Sequence, residues 1–476
     1  MTGARSSEVD EAEYLLSAAA VRERCGLVLA AAERGETRHF RFVPGRLDAA
    51  AERVAAVTRR RYPDLNVPFH SRWRHFAVGG IDRAALIAPG ADGIEAARAR
   101  VDLAIVSVLL DAGAGPEWRY REAETGGVLG RSEGLAVASL RAIQAGLFSA
   151  EPDNPWRADA AALRGLTAER LGEAFQHRPG NELAGLKGRA ALLHRLGEVA
   201  AGAPQWFGRP ARLGNLVDCL ANSVSPDGDR SGGTFPNFGH SGGRAERGRP
   251  EPMNTDSDRH AQRRVRQSRG TVFMGSGLAP PARPGMTATG EGGRDARGPF
   301  GVSAPDILRL LLHAFGAIWP GRLSLGGVPL GDCGRHPAAG LVPFHKLSQW
   351  LAYSLVEPLE DAGIGVTDLD GLTGLAEYRN GGLLIDTEII EPRDPELPQR
   401  ILDPFGEAVV EWRALTVALL DRLAAEVRER LGKTTVELPL AAVLEGGSWA
   451  AGREIARELR PDGRPPLTVA SDGTLF

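Results

Sequence analysis

The sequence predicts a mainly α protein, one large helical domain with a few short strands. Three observations carry this. The 476 residues, 43% of them hydrophobic, are enough to bury an extensive core. Abundant Ala, Leu, Arg and Gly, with only five Tyr and little Ile, favour helices joined by glycine turns over sheets. Apolar residues also recur at helical spacing in one segment after another.

Taken in order, residues 9–34 alternate apolar and charged positions at helical period, with Leu15, Leu16, Ala19, Val21, Leu27 and Leu29 available for a core face. A helical hairpin continues from Leu47 to Arg61. The texture then changes, because Tyr62, Asp64, Asn66, Phe69, His70, Trp73, His75 and Phe76 crowd into one polar, aromatic run. Such side chains are costly as loop filler, so the run reads either as a core-lining turn or as a binding wall. Residues 93–112 form an apolar helix with Asp102 and Asp111 near its ends, Asp111 fitting a C-cap arrangement with Gly113 and Gly115. Trp118 to Arg121 supply stacking surfaces and cations. Ser132 then fits the N-cap of a helix whose first turn holds Glu133.

Two more helices are expected between 158 and 201, the second with Leu186, Ala190, Leu193 and Leu196 inward. From 227 to 300 the chain turns to Gly, Arg, Pro and Ser without apolar periodicity and reads as a disordered insertion, so 1–226 and 301–476 are expected to be two parts of one domain. A basic cluster in that segment lacks interleaved aromatics, and nucleic acid is not an expected partner. Helical pattern returns at Ala304. Cys333 and His336 have a spacing compatible with a metal, but two ligands alone do not define a site. Residues 383–390 read as a short strand, 406–431 as the longest amphipathic helix, and the tail as a helix followed by a hairpin turning at Asp472-Gly473.

Residues 341–382 concentrate reactive side chains within an apolar framework. Phe344, Leu347, Leu351 and Leu355 make a buried stripe, with His345, Lys346, Gln349 and Tyr353 at its border and Pro358 ending the helix. A second helix capped by Thr367 or Asp368 is expected to carry Leu369, Leu372 and Leu375 and to end at Asn380-Gly381-Gly382. Glu377, Tyr378 and Arg379 would then sit at a helix C-terminus, where a carboxylate is electrostatically disfavoured. Glu377 either pairs with Arg379 or Lys346 or belongs to a pocket of one carboxylate, one ammonium and aromatic walls. Such a pocket suits positive charge developing on a sugar ring while Lys and Arg hold an anionic group.

Composition excludes other classes. A net charge of −3 offers no overall attraction to nucleic acid or acidic membranes. Cys25, Cys219 and Cys333 stand far apart, against a disulfide scaffold or a four-cysteine zinc site, and a reducing cytoplasm is the expected location. The first 25 residues lack a signal-peptide pattern, and no stretch reaches the ~20 apolar residues of a membrane helix.

Six segments together, FHSRWRHF (69–76), VSVLLDAGAGPEWRYRE (106–122), RSEGLAVAS (131–139), IWPGRLSLGGVPLGDC (318–333), PFHKLSQWLAYSLVEPL (343–359) and GLTGLAEYRNGGLLID (371–386), resemble the uracil catabolism protein 4 family. The resemblance spans nearly the whole chain outside 227–300, and Gly334 departs from it where the family usually has Trp. It implies uracil breakdown through a nucleotide rather than by direct ring reduction. A more distant set, DLNVPFHSRW, SEGLAVASLRAIQAG, PFHKLSQW and LTGLAEYRN, is similar in order to the queuosine salvage proteins, which are helical, DNA-glycosylase-like and cleave an N-glycosidic bond. There an aspartate matches Glu377 and a lysine matches Lys346.

The resemblances imply an N-glycosidase that hydrolyses the ribosyl C–N bond of a uracil-derived nucleoside or nucleotide of the ribosylurea type. Glu377 and Lys346 would be catalytic. Arg379 would join Lys346 in holding phosphate or a hydroxyl, Trp73, Phe69 and Tyr378 would wall the base or urea group, and His70, Asp64, Glu133, His345 and Gln349 would add polar contacts. No metal or cofactor is called for. Two alternatives stand beside it: a hydrolase or lyase of the opened pyrimidine ring, and a non-catalytic subunit that shields an intermediate for a GTP-cyclohydrolase-like partner.

Overall fold

The computed structural model describes residues 2–222, 301–319 and 323–470. The 227–300 segment, read as an insertion, lies outside the described residues, as does the Asp472-Gly473 turn. The architecture is mainly α. Every strand pairing among the described residues is two-stranded and no strand exceeds four residues. No helix among them is long and apolar enough to cross a membrane.

The first part of the chain supplies α1 (Thr2–Leu15), α2 (Ala18–Glu33), α3 (Leu47–Arg61), α4 (Arg72–Phe76), α5 (Gly93–Leu109), α6 (Arg131–Gln144), α7 (Ala160–Arg164), α8 (Ala168–Ala174), α9 (Leu186–Gly202), α10 (Pro204–Phe207) and α11 (Leu216–Asn222). The second supplies α12 (Ala304–Phe315), α13 (Lys346–Asp361), α14 (Tyr378–Asp386), α15 (Glu407–Leu431), α16 (Leu440–Val443) and α17 (Trp449–Leu459). Both parts enter one apolar core. Helix α5 is buried along most of its length and packs against α6 and α13, while α15 lies on α2 and α3. Ser17 separates α1 from α2 and caps the latter by accepting the Ala20 N–H.

Several local expectations give way to tertiary contacts. Pro358 does not end α13, which runs on to Asp361. A proline at 358 leaves the Ser354 carbonyl without its helical donor, and the Trp73 indole Nε1–H supplies the missing bond at 2.7 Å. The helix expected over 368–379 is also absent. Leu369–Gly371 makes only a 3-10 turn, and residues 372–377 are irregular. Gln349 explains this: its Oε1 accepts the Thr373 N–H at 2.9 Å and its Nε2 donates to Thr373 Oγ1 at 2.6 Å, taking that backbone away from a helical ladder.

Helix α14 therefore starts after Glu377 and absorbs both the Gly381-Gly382 pair and most of the stretch expected to be a strand. Only Ile390–Pro392 is extended, antiparallel to Phe40–Phe42. The glycines are there for room. A Cβ on Gly381 would lie 2.7 Å from the Trp412 ring, whose Nε1–H donates to the Gly381 carbonyl at 3.0 Å. Ser132 is likewise inside α6, whose N-cap is Gly130. In the tail, Thr468–Val469 pairs in parallel with Ile401–Leu402 rather than folding into a hairpin within the described residues. The helix read there is interrupted: Leu444–Ser448 is a π turn between α16 and α17, with Gly446 and Gly447 pressed against Val54, Thr58 and Val67.

Gly381→Ala should destabilise the fold by about 1–3 kcal/mol, because the methyl group overpacks a rigid, buried indole. Chemical denaturation would show this as a lowered midpoint, and an unchanged midpoint would mean that Trp412 moves freely aside.

Candidate active site

Two helix starts face each other at the centre of the molecule. The first is that of α13. Asp332 takes a bidentate bond from Arg413, Nη1 to Oδ1 at 2.8 Å and Nη2 to Oδ2 at 2.7 Å, and its Oδ2 also accepts the Lys346 N–H at 3.0 Å. Burial opposes the charge on Asp332, yet the Arg413 guanidinium and the Lys346 N–H outweigh it and hold the carboxyl far below its usual range. His345, just before the helix, adopts a left-handed backbone with φ 49°. Its Nε2–H donates to the Leu15 carbonyl at 2.8 Å, so the ring turns toward α1 and away from the centre. Gln349 is spent on Thr373 and the Phe344 carbonyl.

The second start is that of α14. Glu377 is its N-cap, not a C-terminal residue, and its carboxylate accepts the N–H groups of Arg379 at 2.8 Å and Asn380 at 2.6 Å. The positive end of the helix welcomes this charge. Position alone thus gives Glu377 a structural purpose. What sets it apart is burial: it is 7% exposed, and desolvation raises its pKa despite the two amide bonds and the charges of Lys346 and His70. Lys346 is the mirror case. Desolvation lowers its pKa against the support of Glu377 and Asp111. The two shifts run in opposite directions because burial penalises the charged form of acid and base alike. The Lys346 ammonium makes no hydrogen bond or ion pair with a described residue and is not sealed from solvent.

Around this pair stand residues that the sequence reading placed elsewhere or passed over. Asp111, read as a capping residue, sends its carboxylate to the Arg72 guanidinium at 2.8 Å and to Ser132 Oγ at 3.1 Å. Burial raises its pKa, with Arg72 and Lys346 opposing. Arg72 is fully buried and also donates to Ser107 Oγ at 2.7 Å. His70 donates from Nδ1 to Glu445 Oε2 at 2.9 Å, and its ring lies between Trp350 and Trp449, with centroids 6.1 and 6.2 Å away. His75 meets the same two indoles edge-on, and burial pushes its pKa well down, so it is neutral.

The remaining candidates divide. Tyr378 and Arg379 follow Glu377 in α14, with the guanidinium 4.9 Å from the phenol ring and its Nη1 bonded to the Gly463 carbonyl at 3.0 Å. Glu133 pairs with Arg453 at 2.9 Å, and Arg453 covers Trp449. Trp73 braces α13 and packs against Phe76, and Phe69 lies half-buried on the core, so the indoles flanking His70 are Trp350 and Trp449. Asp64 is exposed and accepts the Asn66 N–H, and nothing joins it to the central group.

His336, Glu407 and Glu411 could in principle hold a metal, since their ligand atoms lie within 4.8 Å of one another. Their bonding argues otherwise. Glu411 accepts the N–H groups of Arg38, His39 and Phe40, and His336 Nδ1 accepts the Ala338 N–H, which puts the ring proton on Nε2 toward Glu411 at 3.2 Å. Cys333 packs instead with Ala12, Leu15, Ala20 and Leu330. Beside it, a Cβ on Gly334 would lie 2.5 Å from Val410, so Val410 fills the space that a larger residue would need.

Fold and site thus define a mainly α protein with a buried carboxylate and a buried lysine where two helices begin. The chain belongs to the family described as "Protein of unknown function (DUF1688)", whose model matches residues 14–232 and 282–476. It is 34% identical over 474 residues to "Protein urg3" of Schizosaccharomyces pombe, covering 97% of this chain and 98% of that protein. It is 32% identical over 503 residues to "Uracil catabolism protein 4" of Lachancea kluyveri, with coverage of 97% and 98%. The family likeness read from the sequence is therefore shown.

Asp332 gives a pH prediction. Its folded pKa lies below the unfolded value of roughly 3.9, so its stabilisation is complete above that value and is lost as pH falls toward the folded one. Asp332→Asn, which leaves Arg413 buried without its anion, should cost roughly 3–5 kcal/mol at neutral pH. The difference from wild type, followed by chemical denaturation, should shrink on acidification; a pH-independent difference would contradict the assignment.

Proposed function

We propose that the protein is an N-glycosidase of uracil catabolism that hydrolyses the ribosyl C–N bond of a ribosylurea-type nucleoside or its 5′-phosphate. The relative named "Uracil catabolism protein 4" supports the pathway. The observation that carries the chemistry is Glu377, a buried carboxylate fixed by two backbone N–H groups at the start of α14, with buried Lys346 near enough for their charges to interact.

In this reading Glu377 faces the sugar, stabilising the cationic character that grows at C1′ as the bond to nitrogen lengthens and accepting a proton from the attacking water. The two N–H groups that it caps fix its direction, so little reorganisation is needed during the reaction. The Lys346 ammonium, without a hydrogen bond or ion pair to a described residue, holds a sugar hydroxyl or phosphate oxygen. The raised pKa of Glu377 brings a carboxylate closer to the range in which it can both take and return a proton.

The test is a product assay of purified protein with uridine, UMP, ribosylurea and ribosylurea 5′-phosphate, read by mass spectrometry. Wild type should release urea with ribose or ribose phosphate. Glu377→Gln should lower kcat by about 10²–10⁴-fold while melting close to the wild-type temperature, because the amide oxygen can still cap α14. Unchanged turnover in that variant would refute the role of Glu377, and wild type that leaves all four compounds intact would refute the activity.

A further inference from the structure

The aromatic, histidine-rich run ending α4 brings a second acid–base group to the centre. His70 is 5% exposed, and four elements far away in sequence fix it. Its backbone N–H donates to the Ala441 carbonyl at 2.9 Å, its Nδ1 meets Glu445 Oε2 at 2.9 Å, and Trp350 of α13 and Trp449 of α17 flank the ring. The bond to Glu445 places the Nδ1 proton. The other nitrogen, Nε2, makes no hydrogen bond to a described residue, and unlike the sealed Nδ1 of His75 it is not shut off from solvent. His70 is also close enough for its charge to act on Glu377.

Glu445 is placed with equal care. It lies in the π turn Leu444–Ser448, where the wider backbone turn is allowed by two glycines with no space for a side chain. Its Oε1 takes Arg61 Nη2 at 3.2 Å and the Tyr62 hydroxyl at 3.3 Å, leaving Oε2 for the imidazole. Burial works against its charge, but the His70 bond and the nearby Arg61 and Arg74 charges prevail, so Glu445 is an anion. The charged and titratable groups around His70 are Glu445, Arg61, Tyr62 and Arg74, Arg72 over Trp350, Arg453 over Trp449, neutral His75 in α4, and Glu377 at the start of α14.

We propose that His70, oriented by Glu445, is the general acid that protonates the departing nitrogen. This rests on the N-glycosidase reading and assigns the half of that reaction which Glu377 leaves uncovered. Urea is a very poor leaving group as an anion, so its nitrogen must gain a proton as the C1′–N bond breaks. The bond's electron pair goes to nitrogen, the Nε2 proton of His70 follows it, and water adds to C1′ while passing its proton to Glu377. Return of that proton to His70 through solvent resets the site. Glu445 touches no reacting atom; it is a positioning residue that holds the tautomer and stabilises the imidazolium.

The experiment compares wild type, His70→Asn and Glu445→Gln on ribosylurea and on 4-nitrophenyl riboside, whose phenolate leaves without protonation, with kcat measured across pH and melting curves as the folding control. His70→Asn should lose about 10²–10⁴-fold in kcat on ribosylurea, with KM little changed, and should lose the alkaline limb of the pH profile. On the nitrophenyl compound it should stay within about tenfold of wild type. Glu445→Gln should keep an alkaline limb moved to lower pH, because the imidazolium has lost its anion. Equal losses on both compounds, or a limb that neither variant moves, would overturn the assignment while leaving the glycosidase reading in place. If the nitrophenyl compound is not a substrate, the limb alone decides. Wild type inactive on both compounds overturns the glycosidase reading and the role of His70 with it.

Discussion

One carboxylate sets the frame in which everything else is placed. Asp332 receives Arg413 from the N-terminal part of α15, accepts the first N–H of α13, and through its own carbonyl accepts the Phe344 N–H at 2.9 Å. A buried ion pair of this kind adds little net stability, since desolvation consumes most of the Coulomb gain. Its effect is geometric. It leaves one starting point for α13 relative to the longest helix in the molecule, and Phe344, under the Arg413 guanidinium at 4.0 Å, closes the corner.

From that start, the spacing of α13 determines what the centre contains. Lys346 lies within range of the charges of Glu377 and Asp111, Gln349 clamps Thr373, Trp350 flanks His70, and Ser354 receives the Arg72 N–H and the Trp73 indole. Glu357, one turn further, takes Ser71 Oγ at 2.9 Å. Counted from Lys346, these positions lie 3, 4, 8 and 11 residues on, which puts them on one side of the helix. Sequence periodicity marks the apolar stripe through Leu347, Leu351 and Leu355 as the buried side and leaves the polar stripe at its border. Much of the polar stripe is buried as well, and there Gln349 and Ser354 meet fixed partners. Burying it is what brings α4, α5 and α14 to one point.

That difference explains how much of the molecule could be read from its residues. The helix periods of α3, α5, α12 and α15 are local and were legible, and the unusual chemistry of Lys346, Glu377 and His70 stood out by residue type. The direction of Glu377 was not, because a glycine pair after Asn380 resembles a helix end until Trp412, thirty residues on, is known to need that space. Asp111 satisfies the local grammar of a helix terminus, and only the arrival of Arg72 shows that it belongs to the centre. Glu445 had no local signal except two glycines, which are as typical of a turn as of a π segment. In each case the missing information is a contact between residues far apart in the chain.

Three buried carboxylates surround the centre, and their surroundings give them different characters. Glu445, with an imidazole, a guanidinium and a phenol around it, is held below its usual range. Asp111 and Glu377 are pushed upward, the first although it touches Arg72, the second although it caps a helix. Environments that drive like groups apart are how one site obtains both a permanent anion and a carboxyl able to exchange protons. The Glu445 anion is spent on His70, while Glu377 lies within range of the Lys346 charge, so the two carboxylates answer to different parts of the fold. The proposed hydrolysis would use that separation, since in displacement at a sugar carbon the leaving nitrogen and the incoming water occupy opposite sides of the same atom.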